Sequence, residues 1–142
     1  MFKKILVPID VGHESSWVRV LPLAEQLALD YGAELHTIVV VPAVGMAVVG
    51  SFFPPDFEKK ALAEGQKQLA AIVQKSAKSP STIHMHVAHG TIYDEIRAAA
   101  DKLSCDLIVM ASHRPELKDY LLGPNAARVL RHARQSVFIV RD

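Results

Sequence analysis

The stretch "ASHRPELKDYLLGPNAA", residues 111 to 127, gathers side chains suited to holding an anion. Ser112 offers a hydroxyl, His113 an imidazole and Arg114 a guanidinium whose planar fork matches phosphate geometry. Gly123, Pro124 and Asn125 read as the start of a helix, where unpaired backbone N–H groups and the positive end of the dipole favour negative charge. Far away in sequence, "VPID" brings Pro8, Ile9 and Asp10 to the end of an apolar run. Whether these pieces form one site depends on the elements that carry them.

Five short runs rich in Val and Ile read as strands: Lys4 to Ile9, Leu35 to Val41, Ile83 to Val87, Leu107 to Ala111 and Val137 to Val140. Helix patterns lie between them. The first places Trp17, Leu21, Ala24, Ala28 and Tyr31 on one face, with Pro22 inside it as a kink. The second is expected to be capped by Asp56 and to run past Leu69 and Val73. The third opens with Thr91 and Asp94 at capping-box spacing and buries Ile92, Ile96, Ala99 and Leu103. The fourth starts near Pro124 and carries Arg128, Arg131 and His132 toward its carboxyl end.

This alternation predicts an α/β fold, an open and mostly parallel five-stranded sheet with helices on both faces. Four strands are nearly continuous apolar runs, as strands covered on both sides should be. The third alternates, Ile83, Met85 and Val87 against His84 and His86, and reads as an edge. In such a sheet a ligand binds beyond the carboxyl ends of the strands, where strand order reverses. The rule singles out Pro8, Ile9 and Asp10 from strand one, Val40 from strand two, Met110, Ala111, Ser112 and His113 from strand four, and the helix start at Gly123. These meet if strands one and four are neighbours.

Composition narrows the class. The 142 residues read as one domain, 1–142, with 50% hydrophobic and 22% charged residues. A formal charge of +1 gives no field to recruit nucleic acid or an anionic membrane. The opening "MFKKILVPID" lacks the pattern of a signal peptide. The uncharged stretch from Leu35 to Pro55 is broken by Pro42, Gly45, Gly50, Pro54 and Pro55, so it reads as a strand and a loop rather than a membrane span. A cytoplasmic protein is expected. The loop itself, residues 42 to 55, carries Met46, Phe52 and Phe53 and is expected to be a lid or a protein contact. The single Cys105 reads as a small buried side chain.

"ILVPID", "DLIVMASH", "LLGPNAARVLRHA" and "SVFIVR", in this order over essentially the whole chain, resemble the universal stress protein (UspA) family. The resemblance implies a Rossmann-like sheet in the order 3-2-1-4-5 and a homodimer paired through the last strand, Val137 to Val140. It also implies a stress-response regulator, in one branch of the family an ATP binder. That branch carries Gly-x2-Gly-x9-Gly-Ser/Thr, from which this chain departs. Ala111 and Arg114 replace the first two glycines, the spacing to Gly123 is one residue short, and Pro124 replaces the Ser or Thr. Pro124 removes an N–H and supplies no hydroxyl. The loop is instead similar to that of enterobacterial members of the F and G type. There Arg114 would replace glycine backbone contacts and Asn125 the hydroxyl. By the resemblance Asp10 faces the ribose or phosphates, Val40 the adenine, and residues 111 to 125 the phosphates; the cofactor is ATP or another adenine nucleotide, with Mg2+ as a candidate companion. Asp10 can also cap the turn that follows strand one. The alternative function is a nucleotide-free dimer that binds an unknown protein partner through the 42 to 55 loop.

Other chemistries fit less well. Ser112, His113 and Asp10 suggest a hydrolytic triad, but adjacent side chains diverge and no nucleophile elbow is present. No residue stands out as a general base, so no catalytic residue is assigned and at most slow ATP hydrolysis is expected. His84, His86 and His89 lack a carboxylate or cysteine in sequence to complete a metal set, and are expected to face solvent. A receiver-type phosphoacceptor would need an Asp after strand three, where the chain has "VAHG".

Overall fold

The computed structural model describes residues 1–42, 56–112 and 124–141. The order of elements is β1 (Lys4–Pro8), α1 (Val20–Tyr31), β2 (Glu34–Pro42), α2 (Phe57–Ser76), β3 (Ile83–Gly90), α3 (Ile92–Lys102), β4 (Leu107–Ala111), α4 (Pro124–His132) and β5 (Ser136–Val140). All four strand pairings are parallel and the sheet order is β3-β2-β1-β4-β5, as the sequence led us to expect. β3 is an edge, which accounts for its alternating pattern; β5 is the other.

The pleat sorts side chains between two cores. Ile5, Val7, Leu35, Val39, Leu107 and Val109 face α1 and α2, meeting Leu21, Ala24, Leu69 and Val73. Leu6, Ile38, Ile108 and Met110 face the opposite way, against Ile96 and Ala100 of α3 and Ala126 and Val129 of α4. Most of these side chains are within a few per cent of complete burial, so each contributes about 1.5–3 kcal/mol of apolar transfer energy. Burial on both faces is why β1 and β4 read as unbroken apolar runs.

Three local expectations are corrected. Pro22 does not kink the first helix. That helix begins at Val20, after a 3-10 turn at Glu14–Ser16, so Pro22 lies in the first turn, where its missing N–H would have had no intrahelical acceptor. Trp17 precedes the helix and packs on the core from outside it. Asp56 does occupy the N-cap position of α2, but its side chain makes no capping bond and pairs with Lys60 Nζ at 3.1 Å. Thr91 likewise stands at the N-cap of α3 with extended backbone and no side-chain cap, so no capping box forms. α1 closes on Gly32 at φ 64°, a left-handed position that suits glycine.

Candidate functional site

β1 pairs with β2 on one side and β4 on the other, so the sheet order reverses at β1. The helices that follow β1 and β4, α1 and α4, pack on opposite faces of the sheet, and the carboxyl ends of the strands lie between them. A cavity of about 550 Å³ lies there, within the range of small-molecule sites.

The chain leaving β1 forms its first wall. Ile9 N–H still donates to Ile38 O at 2.8 Å, after which the backbone turns. Asp10 organises that turn. Its Oδ1 accepts from Gly12 N–H at 3.0 Å, and its Oδ2 lies 2.9 Å from His13 Nδ1. Ser16 Oγ accepts from Asp10 N–H at 2.9 Å and sits within bonding distance of the carbonyls of Asp10 and His13. Asp10 is thus a turn cap, as one of its two expected roles required, while its half-exposed carboxylate lines the cavity.

The floor is apolar, with Ile38, Val40 and Met110 from β2 and β4 and Ile92 and Ile96 from α3. Ser112 follows β4, is buried, and donates its N–H to Val140 O at 3.2 Å. The start of α4 brings Pro124 and Asn125 to the rim. Of the residues singled out in the sequence, Pro8, Ile9, Asp10, Val40, Met110, Ala111, Ser112, Pro124 and Asn125 all line this one cavity. His113, Arg114 and Gly123 lie outside the described residues, as does the expected contact loop from residue 43 onward.

Sequence reasoning missed the opposite wall. Ala61, Glu64, Gly65 and Gln68 of α2 close the cavity, with Gln68 Nε2 donating to Glu64 Oε1 at 3.1 Å. Gly65 is fully packed, and a Cβ there would stand 3.2 Å from Val41 Cγ2. Its lack of a side chain lets α2 lie close on β2. A lone glycine inside a 20-residue helix was the available signal, because it costs about 1 kcal/mol against alanine and so calls for a packing reason. His13, three residues beyond Asp10, was missed as well.

Among the described residues that line the cavity, the acidic and basic side chains are the carboxylates of Asp10 and Glu64 and the imidazole of His13. An anionic group would therefore sit away from the two carboxylates, toward the amino end of α4. The neutral remainder suits a flat apolar ring over Val40 and a hydroxyl-bearing part near Asp10. Of the three residues that suggested a hydrolytic triad, Ser112 and Asp10 both line the cavity, with the Asp10 carboxylate bonded to Gly12 and His13, and His113 lies outside the described residues.

The fold is shared with known proteins. The model of the universal stress protein family matches residues 1–141. Universal stress protein G of Shigella flexneri is 33% identical over 143 residues, covering 99% of this chain and 100% of its own. The solved structure of the hypothetical protein MJ0577 superposes with a TM-score of 0.74 at 23% identity, covering 100% of this chain and 97% of its own. A universal stress protein solved in complex with cAMP superposes with a TM-score of 0.61 at 24% identity, covering 99% and 97%. By fold, by the match along its whole length and by its full-length relatives, this chain belongs to the universal stress protein family.

Proposed function

We propose that this protein is a cytoplasmic, single-domain stress-response regulator that binds an adenine nucleotide, ATP foremost, in the cavity at the carboxyl ends of β1, β2 and β4. The observation that carries the reading is the convergence of Pro8 to Asp10, Val40, Met110 to Ser112 and Pro124 to Asn125 on one cavity of nucleotide-accepting size. The relative solved with cAMP supports the adenine class.

The base lies over Val40 and Met110, and the Asp10 carboxylate accepts from a ribose hydroxyl. Asp10 is the wrong partner for phosphate, since two negative charges at contact distance repel. The phosphates extend instead toward the amino end of α4 and residues 113 to 123, where Arg114 supplies the charge that the described walls lack. Asn125 offers an amide where Pro124 has no donor. Mg2+, if it accompanies the nucleotide, is held by phosphate oxygens and water more than by side chains. Pairing of β5 with its copy in a homodimer would cover Phe138, which is 42% exposed on that edge strand. No helix among the described residues is long and apolar enough to cross a membrane.

Mass spectrometry of the denatured purified protein, together with calorimetric titration with ATP, ADP and AMP, tests the reading, and light scattering gives the mass of the assembly. Co-purified adenine nucleotide or saturable binding is the expected result. A protein that carries none and binds none at millimolar concentration is the nucleotide-free interaction protein instead.

A further inference from the structure

The amino ends of β2 and β3 hold a second cluster of titratable side chains, at the opposite end of the sheet from the cavity. Glu34 and His36 alternate on β2, His84 and His86 on β3, and the register sets His36 beside His84 and Ile38 beside His86. All four side chains share the face that carries Ile38 and Ala88. His84 is exposed, as the sequence led us to expect, but His86 is half-buried and Glu34 brings from β2 a carboxylate that the sequence did not place beside them.

His36 is the centre of the group. Its ring stacks on His84 at 4.5 Å and on His86 at 5.1 Å between centroids, each tilted by 20°. It is only 6% exposed, and its Nδ1 lies 2.9 Å from His86 Nε2. The other nitrogen, Nε2, is buried and has no hydrogen-bond partner among the described residues. That orphan atom points to where a ligand belongs. Glu34 Oε1 stands 3.7 Å from it, and the same oxygen stands 3.7 Å from His84 Nε2. One ligand atom from each of Glu34, His36 and His84 falls within 4.8 Å of the others.

We propose that Glu34, His36 and His84 form a binding site for a divalent transition-metal ion of the zinc type, with His86 orienting the His36 ring. Tetrahedral zinc bonded to nitrogen and oxygen at its usual lengths spaces its ligand atoms about 3.4 Å apart, so the two 3.7 Å separations need little change. The remaining closure falls to Glu34 and His84, whose side chains are about half exposed. Two imidazoles and a carboxylate favour zinc, copper or nickel over magnesium or calcium, which prefer all-oxygen sets. In the tautomer that donates His36 Nδ1–H to His86, the Nε2 lone pair is left for the ion and the ring is fixed, as outer partners of metal-bound histidines do. Lys4 Nζ stays 3.8 Å from the far carboxylate oxygen, Oε2, leaving Oε1 turned toward the imidazoles.

The test is titration of chelator-treated full-length protein with zinc chloride by calorimetry, with cobalt(II) as a spectroscopic substitute. The expected result is one ion per chain and the intense visible absorption of tetrahedral cobalt. Glu34→Gln and His84→Ala, both about half exposed and outside the packed core, should each weaken affinity at least about tenfold. His13→Ala, in the nucleotide cavity, should leave it unchanged. Absence of saturable binding at micromolar zinc overturns the proposal, as does binding that survives both Glu34→Gln and His84→Ala or that is lost only in His13→Ala.

Discussion

The two ends of the sheet use the same strands in opposite ways. At the carboxyl ends, the helices that follow β1 and β4 lie on opposite faces, beside a cavity whose floor is Ile38, Val40 and Met110. At the amino ends, β2 and β3 remain in register, and the rings of His36, His84 and His86 fill the space by stacking on one another. Reversal of strand order makes room for a whole molecule. Unbroken pairing makes room for one atom, because side chains on neighbouring strands of a pleated sheet are held within contact distance. β2 links the ends: His36 and Val40 are four residues apart, about 13 Å along the strand.

The sharpest way to break this comparison is to remove what the ends share. Ile38 lines the cavity and, 2% exposed, sits in the same core cluster as Cys105 near the other end. Ile38→Ala should cost about 2–5 kcal/mol in urea unfolding. A loss well under 1 kcal/mol would mean that no common core joins the ends.

Next in size is a pH effect at the amino end. Burial pushes the Cys105 thiol up from 9.0 to about 11, with Asp106 and Glu34 adding to the shift and Lys4 opposing it. Below pH 9 both folded and unfolded chains hold the proton and stability is intact. As pH rises through 9 toward 11 the unfolded chain gives up its proton first, so stability falls, by on the order of 2 kcal/mol. Cys105→Ala should flatten that alkaline fall relative to the parent, as read from unfolding curves between pH 8 and 11. An identical fall in the variant would assign it to other groups.

Arg114→Ala addresses the carboxyl end alone. It should weaken ATP binding at least tenfold, about 1.4 kcal/mol, while leaving adenosine binding and zinc binding unchanged. Equal loss for ATP and adenosine would remove Arg114 from the phosphates. The smallest effect is expected at Thr91, at the carboxyl end of β3. Because its side chain makes no capping bond, Thr91→Ala should cost a few tenths of a kcal/mol rather than the roughly 1 kcal/mol of a working cap. A full kilocalorie in thermal unfolding would show that the cap forms in solution.

How much was legible from sequence follows from the range of each signal. β1, β4 and the long β2 were readable because burial on both faces needs only a local apolar run, whereas β5, equally apolar in sequence, is a half-exposed edge. The cavity residues from Pro8 to Ser112 were readable because one topological rule locates the ends of strands. Asp56 and Thr91 were placed correctly at helix starts, yet their capping bonds were not, since residue type states a propensity and a hydrogen bond requires a rotamer. The α2 wall of the cavity was missed although Gly65 hinted at it, for helix spacing alone does not say which element a helix approaches.

By itself the sequence determined the period and order of the elements, hence a parallel sheet and the strand ends at which Asp10, Val40 and Ser112 would meet. Local physics suffices there, because apolar runs and turn residues act over a few positions. Only the tertiary structure decided that His36 and His86, fifty residues apart, would share a hydrogen bond, and that Glu34 would stand beside His36 and His84. That outcome depends on the register between two strands, which a helix and its connections set from outside both of them.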